Sequence, residues 1–226
     1  MIYETTIVAH KQIAQGTHEL TLKRPKNFVF SPGQYTQIDL SHLSISDHKG
    51  SYRLFSIASP LGDLNHLRFV FRESSSGFKQ TLIALPLGSK VILDQASGHL
   101  LLSEQTRPQV LIAGGVGISA FMGFLAQKDI LKNIIKPITL VYGNRDESSA
   151  AYLPLLRNLS QQADLFSLVE IYDIPSIETF INIAMSHTNA VWSVVGPPGM
   201  VRLTVQGLQQ GGVSAQDIKT ESFSGY

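Results

Sequence analysis

The stretch that most constrains this chain is a short apolar run followed at once by a glycine-rich turn. Val110 to Ala113 are all apolar, which is typical of a strand buried on both faces. Three glycines follow within four positions, and residues from Ile118 to Gln127 are apolar at helical spacing. In this strand, turn and helix arrangement, backbone N–H groups at the helix N-terminus face a bound phosphate. The segment therefore predicts an α/β unit that binds a phosphate-bearing ligand.

The spacing of the glycines sharpens this prediction. Gly115, Gly117 and Ala120 fit the pattern G-x-G-x-x-A, whose glycines let a pyrophosphate approach the backbone. A tight turn with no ligand is the alternative explanation. The next predicted strand, 138–142, ends in Gly143-Asn144-Arg145 and lacks the acidic residue that holds a ribose in the ordinary Rossmann fold. We therefore expect a different α/β unit that still binds a phosphate ligand.

Buried strands and helices alternate through the second half of the chain. The predicted strands are 110–113, 138–142, 166–171, 190–195 and 217–220, and the predicted helices are 117–127, 150–159, 176–185 and 200–208. This alternation predicts a five-stranded parallel sheet covered by helices. Ligands of such sheets bind beyond the carboxyl ends of the strands. Here those ends are 114–119, 143–145, 172–173 and 196–200.

The first half has the pattern of a different domain. Six short strands, separated by turn signals, are predicted at 2–13, 17–23, 34–40, 52–58, 67–72 and 90–93. They indicate a six-stranded antiparallel β-barrel. A short helix is expected within 77–85, with an N-terminus suited to an anion, and the polar segment 41–50 is expected to be a mobile loop. We predict a β-barrel domain over 1–103 and an α/β domain over 104–226.

One barrel strand carries residues suited to a phosphate-bearing ring compound. Arg53-Leu54-Phe55-Ser56 puts Arg53 and Phe55 on one face and Leu54 and Ser56 on the other. Arginine matches phosphate oxygens, an aromatic ring can cover a flat ligand, and a hydroxyl can bond to a ring nitrogen. An ordinary barrel strand with a solvated arginine is the alternative.

Composition excludes several classes of function. The chain has no cysteine, which rules out disulfides, thiol nucleophiles and cysteine-ligated iron–sulfur clusters on these 226 residues. No two of the seven histidines have the i, i+4 spacing of a helical zinc site, so no metal site is predicted. A net charge of +1 without blocks of like charge argues against nucleic-acid binding. No apolar run suggests a membrane span and residues 1–6 lack a signal-peptide pattern, so we expect a cytoplasmic protein.

Taken in order, these motifs resemble those of the ferredoxin–NADP reductase family over essentially the whole chain. Arg53–Ser56 is similar to the family's flavin motif Arg-x-Tyr-Ser, and Ala113–Ser119 to its nicotinamide-cofactor loop. Five further segments match family motifs, namely 67–72 and 77–82 for flavin, 141–145 at the second strand end, 195–200 for the Cys-Gly-Pro segment, and 221–223 for the C-terminal Glu-x-Phe.

The resemblance implies an NAD(P)H-dependent flavoprotein reductase. Hydride would pass from the nicotinamide to a flavin, FAD or FMN, and electrons would pass to a separate protein such as a ferredoxin, a flavodoxin or an oxygenase. Ser56 near the flavin N5, Glu221 as a proton relay and Phe223 beside the ring are the implied catalytic residues.

The resemblance also implies two sets of cofactor-binding residues. Those for the flavin are Arg53, Leu54, Phe55, Ser56, Phe69, Val70, Phe71, Gly77, Phe78, Lys79, Gln80 and Thr81. Those for the nicotinamide nucleotide are Gly114, Gly115, Gly117, Ile118, Ser119, Arg145, Gly196, Pro197, Pro198 and Met200.

Departures from the family pattern keep two alternatives open. Phe55 replaces tyrosine, Lys79 replaces Ser or Thr, Ala120 replaces proline and Val195 replaces cysteine. No adenine-clamping loop is evident between Ser74 and Gly77, which suits a free-flavin reductase. A non-catalytic nucleotide-sensing subunit is the other alternative. Arg145 is a candidate for a 2′-phosphate, but the absence of a basic cluster around it favours NADH.

Overall fold

The computed structural model describes residues 1–100, 106–127, 129, 132, 134–173 and 175–223. Contacts divide the chain into two compact units. The first holds the described residues up to 100 together with 119–127, and the second holds 106–118 and the described residues from 129 to 223. The predicted domain boundary between residues 103 and 104 lies outside the described residues and stays a prediction.

The first unit contains a six-stranded antiparallel sheet, as predicted. Its strands are β1 (Tyr3–Ala14), β2 (Thr17–Lys23), β3 (Tyr35–Asp39), β4 (Tyr52–Ser56), β5 (His66–Arg72) and β6 (Lys90–Leu93), in the order β4-β3-β6-β1-β2-β5. Just after β4, a bridge between Ile57 and Phe69 links the chain to β5 and joins the two edges of the sheet. Ala58 N–H also donates to the Arg68 carbonyl at 2.9 Å.

Inward-facing residues of this sheet form one apolar core. Alternating positions such as Leu20 and Leu22 on β2 and Phe69 and Phe71 on β5 are buried together. The helix α1 (Gly77–Ala84) adds Phe78 and Leu82 to the same core. Ser76 caps α1 by accepting the Lys79 N–H with its hydroxyl. This cap fixes the residue at which α1 begins.

The second unit contains a five-stranded parallel sheet, also as predicted. Its strands are β7 (Gln109–Gly114), β8 (Ile138–Gly143), β9 (Phe166–Ile171), β10 (Val191–Gly196) and β11 (Ile218–Ser222), in the order β11-β10-β7-β8-β9. Every pairing between neighbouring strands is parallel. The apolar side chains of Val110, Val141, Trp192 and Val194 lie in one buried cluster with Phe180.

The helices begin and end at slightly different residues from those predicted. They are α2 (Ser119–Leu125), which belongs to the first unit by its contacts, α3 (Leu153–Gln162), α4 (Ile177–Ser186) and α5 (Pro198–Gln210). Before α2, residues Gly115–Ile118 form a 3-10 turn, and its first residue, Gly115, has a left-handed φ of 53°, which glycine adopts without strain. Tyr152 has a φ of 60°, which delays the start of α3 to Leu153. No helix in the described part of the chain is long and apolar enough to cross a membrane.

Glycines allow the ends of β7 and β10 to pack against each other. A Cβ atom on Gly117 would lie 2.3 Å from the Val195 carbonyl oxygen and 2.9 Å from its carbon. A Cβ on Gly114 would lie 2.2 Å from the Met200 sulfur. Backbone contact makes glycine necessary at position 117 whether or not a ligand is bound, whereas at position 114 the contact is with the flexible end of the Met200 side chain.

We predict that Gly117→Ala destabilises the second unit by about 1–3 kcal/mol, because the added methyl meets backbone atoms that cannot move aside cheaply. Urea unfolding followed by fluorescence of Trp192, the single tryptophan, measures this unit. Gly143→Ala is the control, since its Cβ would lie 3.7 Å from the nearest atom, the Ala113 oxygen. Equal midpoints for the two variants would contradict the packing argument.

Candidate functional site

Strand β4 places its four predicted site residues in different surroundings. Arg53 and Phe55 face inward and are 7% and 6% exposed, whereas Leu54 faces outward and is 59% exposed. This alternation confirms that Arg53 and Phe55 share one face. Ser56 is also buried. Arg53 is therefore not the solvated arginine that the alternative explanation required.

The Phe55 ring lies in the apolar core of the first unit. It packs edge-on against Phe69 and Phe71 and tilted against Phe78, with ring centroids 6.1–6.3 Å apart. The prediction that Phe55 covers a flavin thus has no support from its position and stays a prediction.

Tyr52, which the sequence interpretation passed over, projects from the outward face of β4 beside Leu54. Side chains alternate along a strand, so the position of Tyr52 next to Arg53 could have placed it on the opposite face from sequence alone.

The Arg53 guanidinium is held by the polar segment 41–50, which the sequence predicted to be a mobile loop. Arg53 Nη2 lies 2.6 Å from a carboxylate oxygen of Asp47. Nη1 donates to the carbonyl oxygens of Lys49 and Gly50, each at 3.1 Å. Asp47 was missed by the sequence interpretation because nothing local distinguishes it from a solvated loop residue. The middle of the segment is thus tied down by charge-assisted hydrogen bonds, among the stronger kind in proteins.

The same carboxylate caps the N-terminus of α1. Asp47 Oδ2 accepts a hydrogen bond from the Ser76 hydroxyl at 2.6 Å and from the Phe78 N–H at 3.0 Å. These hydrogen bonds stabilise the carboxylate, the one from the Phe78 N–H most of all, and they hold the pKa of the Asp47 carboxyl well below its usual range. The predicted anion site at this helix N-terminus therefore binds an anion, and that anion is a side chain of the protein.

Lys79 lies in the first turn of α1 and is only 4% exposed. Burial is the main cause that lowers its pKa, to about 8, and the nearby charges of Arg53, Lys49 and Arg72 lower it further. Positive potential is therefore high around this helix end. Of the other residues predicted to bind flavin, Phe69, Val70, Phe71, Gly77, Phe78 and Thr81 are buried and Gln80 is exposed.

The donor set in the first unit suits a phosphate group. It consists of an arginine, a lysine, a serine hydroxyl and backbone N–H groups at a helix N-terminus. The Arg53 Nε atom is buried and has no hydrogen-bond partner among the described residues. A flavin phosphate therefore fits the chemistry of these groups. No group of three side chains able to hold a metal ion occurs among the described residues.

The second candidate site lies at the carboxyl ends of the parallel strands. Gly114 of β7 pairs with Gly143 of β8, and Val195 of β10 pairs with Ala113. Parallel register brings the predicted nucleotide residues of these strands to one edge of the sheet. They are Gly114, Gly115, Gly117, Ile118, Arg145, Gly196, Pro197, Pro198 and Met200, while Ser119 begins α2.

Strand β11 adds the two C-terminal site residues to this edge. Glu221 pairs with Val195, and the Phe223 N–H donates to the Gly196 carbonyl at 3.0 Å. Both side chains are partly exposed. The structure thus brings Glu221 and Phe223 to the Gly196–Pro197 turn, and their predicted places beside the nicotinamide and the flavin ring stay predictions.

Arg145 lies just beyond β8 and is exposed. Asp146 next to it caps a short 3-10 turn, Glu147–Ser149, by accepting the Ser149 N–H. The side-chain amide of Asn144 is buried and has no partner among the described residues. Arg145 is therefore placed at the ligand edge of the sheet, with its guanidinium accessible.

We predict that Lys79 makes the stability of the first unit depend on pH. Its pKa is about 8 in the folded chain and 10.5 in the reference state, so the unfolded chain binds more protons between these values. The free energy of unfolding of this unit therefore rises as pH increases from 8 to 10.

In Lys79→Met, urea unfolding followed by circular dichroism should show a smaller rise in stability over that range than the wild type shows. The exposed Lys26, changed to Met, is the matched control and should leave the rise unchanged. A rise in Lys79→Met as large as in the wild type would mean that Lys79 titrates normally.

Comparison with known proteins supports the nucleotide site. Residues 111–206 match the model of the oxidoreductase NAD-binding domain. The chain is 25% identical over 236 residues to the anthranilate 1,2-dioxygenase electron transfer component of Acinetobacter baylyi, covering 99% of this chain and 64% of that protein. It is also 25% identical to the phenol 2-monooxygenase reductase component of a Pseudomonas species, over 98% of this chain and 65% of the relative. The chain thus spans less than two thirds of the length of either relative.

Solved structures show the same fold. A ferredoxin NADP+ reductase from Neisseria gonorrhoeae, with bound FAD and NADP, superposes with a TM-score of 0.80 at 19% identity, covering 98% of both chains. An Amycolatopsis cytochrome P450 reductase gives 0.81 at 20% identity, covering 98% of this chain and 70% of the other. The chain therefore has the fold of these reductases, and its residues 111–206 match the oxidoreductase NAD-binding domain.

Proposed function

We propose that this chain is a flavin-dependent NAD(P)H reductase that passes electrons to a separate protein. The observation that carries the proposal is the similarity to an electron transfer component over 99% of the chain, which spans both units. The predicted catalytic and cofactor-binding residues are part of this proposal.

In the first unit, Arg53, Lys79 and the N-terminus of α1 would hold the flavin phosphate. Ser56 would hydrogen-bond the ring at N5, and the backbone of residues 69–71 would border it. The bound flavin supplies the redox chemistry, since it accepts two electrons together and can release them singly. The protein supplies binding, orientation and charge compensation.

In the second unit, the ends of β7, β8 and β10 would bind the nicotinamide nucleotide. Backbone N–H groups of the 115–118 turn would face its pyrophosphate. Glu221 and Phe223 lie beside the Gly196–Pro197 turn, where a carboxylate can hold or move a proton and an aromatic ring can flank the nicotinamide. Val195 brings no thiol to this place, so orientation there depends on packing.

The electron acceptor in this proposal is an oxygenase, or a ferredoxin or flavodoxin that serves one. The two curated relatives above are named as parts of a dioxygenase and of a monooxygenase. Because these 226 residues contain no cysteine, a cysteine-ligated cluster would have to lie on another polypeptide or on residues outside them. The proposal includes a cytoplasmic location, which is supported by the sequence pattern alone.

A free-flavin reductase is a second candidate, and the Asp47–Arg53 contact favours it. A site whose arginine already has an anionic partner holds a flavin phosphate less tightly than an open site does. Purified protein that stays yellow after desalting would support the first function. Colourless protein that oxidises NADH only with added flavin would support the second. Nucleotide binding without any turnover would instead support the non-catalytic sensing subunit.

We predict that Ser56→Ala slows flavin reduction by NADH about tenfold, the effect of losing one hydrogen bond of roughly 1.4 kcal/mol. Anaerobic stopped-flow of flavin-loaded protein against NADH measures this step. Ser31→Ala, at an exposed position, is the control and should keep the wild-type rate. An unchanged rate in Ser56→Ala would remove Ser56 from the reaction.

We also predict that the chain prefers NADH and that Arg145→Ala changes KM for NADH and NADPH by similar factors. An exposed arginine without a basic cluster gives little selectivity for a 2′-phosphate. Steady-state kinetics with each nucleotide tests this, with Lys136→Ala as an exposed control. If KM rises far more for NADPH than for NADH, Arg145 binds the 2′-phosphate and the preference for NADH is wrong.

A further inference from the structure

We propose that Asp47 is an internal competitor for the flavin phosphate: its carboxylate occupies the phosphate-binding groups, and a phosphorylated flavin binds only when residues 44–47 move away. The flavin is then exchangeable, and Asp47 sets its affinity. The inference rests on the proposed function, because it takes the ligand to be a flavin.

The geometry of Asp47 is that of a bound anion. A guanidinium at 2.6 Å, a hydroxyl at 2.6 Å and a helix N-terminal N–H at 3.0 Å converge on one oxygen, Oδ2. The side chain of Asp47 is 2% exposed. These donors, from Arg53, Ser76 and Phe78, are of the types that bind phosphate oxygens. Asp47 and a flavin phosphate therefore cannot use them at the same time.

The backbone beside Asp47 also covers the helix end. A Cβ atom on Gly77 would lie 2.4 Å from the Ile45 carbonyl oxygen and 2.5 Å from that of Ser46. Ser44 is fixed to α1 as well, since its N–H donates to the Thr81 hydroxyl at 3.1 Å. Exclusion of the phosphate is thus steric as well as electrostatic, so residues 44–47 must move before a phosphate can reach the helix end.

The charges around the site explain why a phosphate can displace the carboxylate. Burial is the main cause that lowers the pKa of Lys79, and the nearby positive charges of Arg53, Lys49 and Arg72 lower it further, so cations are concentrated around this site. Asp47 brings one negative charge, whereas the monoester phosphate of FMN brings close to two. The buried Arg53 Nε, which has no partner among the described residues, is a further donor for the incoming group. Riboflavin has the same ring and no phosphate, so Asp47 does not oppose it in this way.

The test compares flavin binding by wild type and Asp47→Asn, measured by equilibrium fluorescence titration. Asparagine keeps the shape of the side chain and removes the charge. We expect Kd for FMN and FAD to fall about tenfold or more, the effect of removing one charge-assisted contact, and Kd for riboflavin to stay within about twofold. Asp63→Asn is the control, because Asp63 pairs with Arg68 at 3.0 Å away from α1, and it should not change the FMN to riboflavin ratio.

A second measurement uses the wild-type protein and does not depend on the folding of a variant. Hydrogen–deuterium exchange of peptides covering residues 44–50 should rise when FMN is added and should not rise with riboflavin. This outcome would show the segment leaving α1 as the phosphate binds.

Two results would overturn the inference while leaving the proposed function intact: an FMN affinity that Asp47→Asn leaves unchanged or weakens, or lower exchange in residues 44–50 with FMN. Failure of all three flavins to bind either protein would reject the proposed function, and the inference with it.

Discussion

A buried guanidinium imposes the main constraint on the first unit. Arg53 lies on the inward face of β4 with its charge over the Phe78 ring, 5.2 Å from the ring centroid. A charge in such a place needs a partner, because desolvation without compensation costs several kcal/mol. Asp47 and the carbonyls of segment 41–50 supply that compensation. The conformation of this segment, the cap of α1 and the state of the candidate phosphate site all follow from this one charge.

The second unit depends instead on close approach of backbones. Gly114, Gly117 and Gly196 let the ends of β7 and β10 touch each other and Met200 without side chains between them. Glycines at these positions have two explanations, ligand access and internal packing, and the packing explanation is sufficient for Gly117. In the proposed nucleotide site, recognition would depend on the groups at this compact edge, namely the backbone N–H groups of the 115–118 turn, Arg145 and the β11 residues.

Much of the fold could be predicted from sequence because its signals are local. Period-two alternation around Leu20 and Phe69 gave the antiparallel strands, and unbroken apolar runs such as 110–113 gave the parallel ones. Helix starts were less certain, because Gly115 and Tyr152 have positive φ values that no periodicity reports. The order of the motifs then identified both candidate sites.

Contacts between distant residues could not be predicted in this way. Alternation put Arg53 and Phe55 on one face, but only tertiary packing shows that this face is the core side, where the Phe55 ring meets Phe69 and Phe78. Asp47 reaches α1 across about thirty residues of sequence, and its neighbours in the chain resemble any polar loop.

The depth of the Asp47–Arg53 pair also has a consequence for ionic strength. Dissolved ions screen charges that face water and act weakly on a pair that is almost completely buried. If a flavin phosphate competes with Asp47 as proposed, added salt would weaken its attraction to the protein more than it weakens the internal pair. Concentrated electrolyte would then favour the form in which Asp47 occupies the site, and ionic composition would help to set how much flavin is bound.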